Sequence, residues 1–109
     1  MVEQTLKLDS VFGSLADPTR RDILKRVSKK DLTISEIAKP YRMSFAAIAK
    51  HVAVLQKSLL IIKRRHGKEQ VISASPDAIK FAASHLEGYA KIWQERYDRL
   101  ESLLTKQGE

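Results

Sequence analysis

Two hydroxyl residues, Thr33 and Ser44, each open a helical pattern, and basic side chains gather around and after them: Arg42, Lys50, Lys57, Lys63, Arg64, Arg65 and Lys68. A helix start offers free N–H groups and the positive end of a dipole, and a capping hydroxyl beside guanidinium or ammonium groups suits phosphate. Ala46, Ala47 and Lys50 fall early in the second of these helices, on the face opposite its apolar stripe. Lysine can donate to guanine O6 or N7, and an alanine methyl can pack on a thymine methyl. The chemistry on offer is therefore phosphate binding with a small capacity for reading base edges. His51 lies at the edge of the stripe and is open to two readings, a half-buried residue bonding locally or a phosphate or base contact. Tyr41 is equally open between a phosphate bond and packing under the helix pair. Arg20 and Arg21 are expected to pair with Asp17 or Asp22.

Charge distribution favours a polyanionic partner. Between Arg20 and Gln70 stand 14 lysines and arginines against four acids, a net of +10 within a chain of net +7, so the flanks carry −3. A basic middle between mildly acidic ends is an electrostatic footprint for nucleic acid, where neutralised phosphates release counterions.

Other chemistries lack their residues. Cysteine is absent, which excludes disulfides, thiolate metal sites and thiol redox sensing. The three histidines, His51, His66 and His85, fall on different elements, so no metal site is expected. Glycine-rich phosphate loops, nucleophile elbows and paired carboxylates are missing, and neither catalysis nor a cofactor is expected. With no long uncharged apolar run and no leader pattern, the expectation is a single cytoplasmic domain over residues 1–109.

Elements able to position these residues follow from pattern. Leu6, Val11, Phe12 and Leu15 suit a first helix over roughly Gln4 to Leu15. Asp17-Pro18 starts a second, capped by Asp17, with Ile23, Leu24 and Val27 inward. Thr33 and Glu36 form a capping box for a short third helix stopped by Pro40. Ser44 caps a fourth to about Lys57, with Phe45, Ile48, Val52, Leu55 and Leu59 as its buried stripe. Residues 33–57 thus read as a helix-turn-helix. Residues 60–74 change to a strand period around His66-Gly67-Lys68-Glu69, a hairpin wing. A long helix over 76–106 follows, on which Ile79, Ala83, Leu86, Ala90, Trp93, Tyr97, Leu100 and Leu104 alternate spacings of 4 and 3. Such a seam suits pairing with a second copy, Leu6 joining the interface. One long helix packed on its own core is the alternative. Tyr89, Trp93 and Tyr97 read as packing residues rather than a small-molecule pocket.

The order α-α-α-α-β-β-α, mainly helical with a small β-hairpin, is that of a winged helix-turn-helix. Leu15-Ala16-Asp17-Pro18-Thr19-Arg20-Arg21-Asp22-Ile23-Leu24 resembles the second-helix signature of the ArsR-type bacterial transcriptional regulators. Met43-Ser44, Lys50-His51-Val52-Ala53-Val54-Leu55 and the basic strands around Gly67 are similar as well. The resemblance spans roughly Val11 to Ala74, and the terminal helix with Trp93 is similar to one subgroup. It implies a homodimeric repressor on double-stranded DNA, its fourth helix in the major groove and its wing on the backbone or in the minor groove. The family commonly has proline where Ala46 stands and serine where Ala49 stands. Much of the recognition is therefore expected from phosphate contacts and DNA shape. A winged helix that has lost operator reading and docks a protein partner is the second reading, favoured by the exposed alanines and Val54 and opposed by the basic block.

Overall fold

The computed structural model describes residues 6–107. Its elements are α1 (Leu8–Leu15), α2 (Pro18–Lys29), β1 (Leu32–Thr33), α3 (Ile34–Ala38), α4 (Phe45–Lys57), β2 (Ile61–His66), β3 (Glu69–Ala74) and α5 (Pro76–Gln107). The first helix is shorter than expected. Lys7 occupies its cap position without a side-chain capping bond, so Leu6 and Lys7 stay outside it; Gln4 lies outside the described residues.

The wing has a third strand. Leu32 pairs with Ile72 and Thr33 with Val71, giving an antiparallel sheet of order β1-β3-β2. Two residues carry no readable period, which is why the pattern suggested a hairpin alone. The strand matters because Thr33 belongs to the sheet and also caps α3, so the wing and the helix pair share a residue. In the hairpin, Gly67 takes φ +63°. A two-residue loop between twisted strands needs a positive φ, which glycine adopts without a Cβ clash.

Val11, Ile23, Val27, Ile37, Ile48, Val52, Leu55, Leu60 and Ile72 form a buried core joining α1 to α4 with the sheet. Within α4 the buried stripe is Ile48, Val52 and Leu55 alone. The expected flanking members differ. Phe45 is 57% exposed. Leu59 lies past the helix at φ +63°. There Leu60 N–H donates to Leu55 C=O and Leu59 N–H to Gln56 C=O. This is a Schellman closure with leucine in the left-handed slot that glycine usually fills. It aims the chain from α4 into β2.

Serine hydroxyls join α1 to that same end of α4. The Ser58 hydroxyl bonds those of Ser14 and Ser10, the latter at 3.0 Å. Ser14 and Ser58 are buried, at 2% and 5% exposure, so the network fixes α4 against α1 from inside. Among the described residues no buried side-chain polar atom lacks a partner.

α5 begins inside the core and leaves it. Ala78 and Ala82 are buried, whereas every side chain from Ser84 to Lys106 is exposed. At about 1.5 Å per residue its 32 residues span roughly 48 Å, which accounts for most of the 71 Å long axis. The packing of this helix on its own chain therefore ends near Ala83.

Candidate nucleic-acid interface

α4 follows from its sequence in a direct way. Ser44 sits in extended conformation and its Oγ accepts from Ala47 N–H at 3.1 Å. The hydroxyl keeps its own proton for a second acceptor, and the first turn of α4 contains no acid. At 100° per residue Ala46, Lys50, Ala53 and Lys57 fall in one strip opposite the buried stripe. All four are exposed, as is Arg42 in the preceding turn. Ala47 and His51 are half-buried and lie back from that strip.

Thr33 is less open to an anion than Ser44. Its Oγ1 accepts from Glu36 N–H at 3.1 Å, and the Glu36 carboxylate accepts from Thr33 N–H at 3.0 Å. The capping box is complete, and the Thr33 N–H, followed by the Thr33 hydroxyl, holds the Glu36 carboxyl below its ordinary range. An anion arriving there meets a carboxylate already occupying the helix start.

His51 has partners within the chain. Its Nδ1 lies 3.4 Å from the Arg20 guanidinium and 3.9 Å from Asp17 Oδ2. Arg20 does not pair with Asp17 as expected of it. Its Nε donates to Ser14 C=O at 2.8 Å and its Nη2 to Gly13 C=O at 3.2 Å, while Arg21 donates to Leu15 C=O at 2.7 Å. Both arginines close the open carbonyls at the end of α1, a demand that every helix end makes and that charge counting overlooks. Asp17 instead caps α2 by accepting from Arg20 N–H, which lowers its carboxyl pKa. Tyr41 is settled in favour of packing: its hydroxyl bonds Asp22 and its ring lies 5.4 Å from the Arg26 guanidinium carbon. Burial, then the Asp22 bond, raises its pKa.

On the wing the basic residues divide. Arg64 reaches Asp31 at 3.3 Å and Ser73 Oγ at 3.1 Å. Among the described residues Arg65 donates only to the Gly67 carbonyl, at 3.3 Å, and Lys63 and Lys68 are exposed. Among the described residues no acid pairs with Arg65, whereas Asp31 pairs with Arg64. Sequence reasoning missed Asp31 as the partner because 33 residues separate the two. It also missed Phe45, whose apolar character placed it in the stripe although it is the first helical residue, about 60° around from Ile48.

Along α5, Leu86, Trp93, Tyr97, Leu100 and Leu104 are all more than half exposed, together with Tyr89, Ile92 and Leu103. Among the described residues no element covers them, and a patch of that size marks an interaction surface. Leu6, by contrast, packs against the core. Among the described residues no group of three or more His, Asp or Glu comes together in a way that could hold a metal ion, and no helix is long and apolar enough to cross a membrane.

A capped reading helix behind a short helix and turn, followed by a basic β-wing, defines a winged helix-turn-helix protein. Residues 17–63 match the family described as bacterial regulatory protein, arsR family. The chain is 30% identical over 92 residues to the HTH-type transcriptional regulator Rv2034 of Mycobacterium tuberculosis, covering 77% of this chain and 86% of that protein. It is 33% identical over 61 residues to the transcriptional repressor SdpR of Bacillus subtilis, covering 56% and 68% respectively. An ArsR-like transcriptional regulator from Rhodococcus sp. RHA1 superposes with a TM-score of 0.74 at 31% identity, covering 88% of this chain and 91% of that one. The chain belongs to the arsR family of bacterial regulatory proteins; it is a DNA-binding transcriptional regulator and not an enzyme.

Proposed function

We propose that the protein is a homodimeric repressor acting in the cytoplasm on a pseudo-palindromic operator. α4 enters the major groove, with Ala46, Ala47 and Lys50 toward base edges and Arg42, Ser44, His51 and Lys57 beside them. The wing residues Arg64, Arg65 and Lys68 meet the phosphate backbone, and Thr33 contributes from the start of α3. Leu86, Ala90, Trp93, Tyr97, Leu100 and Leu104 pair two copies through α5, with Leu6 at the margin. Repression is taken from the likeness to SdpR, which is named as a repressor.

The observation that carries this reading is the pairing of two open surfaces on one chain. One is an uncompensated basic strip on α4 and the wing. The other is an apolar helix face that the described residues leave bare. A two-fold pairing through the second gives two copies of the first, which is how palindromic sites are matched. Selection of duplexes from a random pool tests it. A motif with two-fold symmetry is expected, with an A·T-rich component from shape readout. Recovery of a single asymmetric half-site would remove the dimer, and failure to retain any duplex would remove the operator.

A further inference from the structure

The geometry points to Phe45 as a specificity-determining residue whose ring packs on the 5-methyl group of a thymine, resting on the reading of α4 as the helix in the major groove. Phe45 is the first residue of α4, directly after the Ser44 cap, and it is 57% exposed. It is not among the side chains packed against the core. Met43, on the other side of the cap, is 39% exposed. The tip of the reading helix is thus apolar, set between the charges of Arg42 and Lys50. Reading helices touch base edges with their N-terminal residues.

A phenyl ring has nothing to offer a phosphate. In the major groove, guanine shows only acceptors, adenine an acceptor and a donor, and cytosine a donor. Thymine alone presents an apolar group, its C5-methyl. The alanines at 46, 47, 49 and 53 add no hydrogen-bonding group, so the largest contact surface at this end of α4 is the ring itself. Phe45 therefore favours an A·T pair with its thymine beneath the start of α4 in each half-site.

Thymine-to-uracil replacement removes that methyl and leaves every hydrogen bond of the base pair in place. On a duplex selected from a random pool, uracil is introduced at one thymine of the half-site at a time. Wild-type protein is expected to lose about fourfold in affinity at one position per half-site, and about 15-fold with both changed, the equivalent of one buried methyl each. Phe45→Ala should bind the thymine duplex more weakly and lose nothing further with uracil at that position, while Phe45→Leu keeps part of the effect. Because the ring is exposed in the free protein, the alanine variant keeps its fold. Uracil without effect at every position overturns the proposal. So does an alanine variant as sensitive to uracil as the wild type. In either case sequence-selective binding would still stand, whereas a wild-type protein that retains no duplex brings down the reading of α4 along with Phe45.

Discussion

Replacing Asp31 by asparagine removes the carboxylate that holds Arg64 at 3.3 Å. The two side chains are 54% and 63% exposed, so theirs is a surface pair worth at most about 1 kcal/mol. In the proposed complex that sum opposes binding, because Arg64 would have to leave Asp31 to serve a phosphate. With two copies of the chain on one duplex the release is worth up to about 2 kcal/mol, or up to about 30-fold in affinity. Phosphate contacts carry no sequence information, so the gain should appear equally on a selected operator and on an unrelated duplex. Fluorescence anisotropy with both duplexes, between 50 and 200 mM salt, measures the two quantities together. Arg64→Ala in the wild-type background should be mild and should cancel the gain of Asp31→Asn. Arg65→Ala should flatten the salt dependence by about 0.9 per copy, about 12-fold for the pair over that fourfold salt range. Two results would refute the reasoning: an Asp31→Asn protein with unchanged affinity, or one whose preference between the two duplexes shifts.

Charge placed on the bare face of α5 should separate two copies: Trp93→Glu combined with Leu100→Glu is expected to sediment as a species of 12.4 kDa, and a persistent dimer would move the interface elsewhere. Ser58→Val leaves the buried Ser14 hydroxyl with little to bond, and urea unfolding should show a loss of about 1–3 kcal/mol. The depressed carboxyls of Asp17 and Glu36 set an acid limit. Their contributions are complete above the ordinary values of 3.8 and 4.5 and fade as pH falls through the lower folded-state values, so Asp17→Asn and Glu36→Gln should each lower stability at neutral pH and flatten its fall with acid in that range, the difference from wild type vanishing at the acid end.

Periodicity and capping made most of the helical scaffold readable. Asp17-Pro18, Thr33 with Glu36, and Ser44 act on amides within three residues, so their effects are local and visible in the chain. The two-residue strand β1 was not visible, because it exists only through β3, some 40 residues away. Leu59 was misplaced for a related reason: its spacing continues the stripe of α4, yet the helix ends two residues earlier, at Lys57, to send the chain into the wing. At the interface, residue type identified the basic side chains but not which were already engaged. Arg20 and Arg21 serve α1, Arg64 serves Asp31, and Arg65 remains uncompensated, distinctions that arise only from tertiary neighbours. Phe45 shows the converse, an apolar residue that position at a helix end turns outward.

Under the proposed pairing, the bare stretch of α5 from Ser84 to Lys106 ties the activity of this regulator to its abundance. A helix with no tertiary face to bury is only marginally stable in water, so in the proposed dimer this segment is stabilised chiefly by the second copy. Where single chains predominate, site occupancy then rises with the square of chain concentration rather than in proportion to it. A modest change in synthesis or degradation would switch the site over a narrow range, a threshold response set by the length of one uncovered helix.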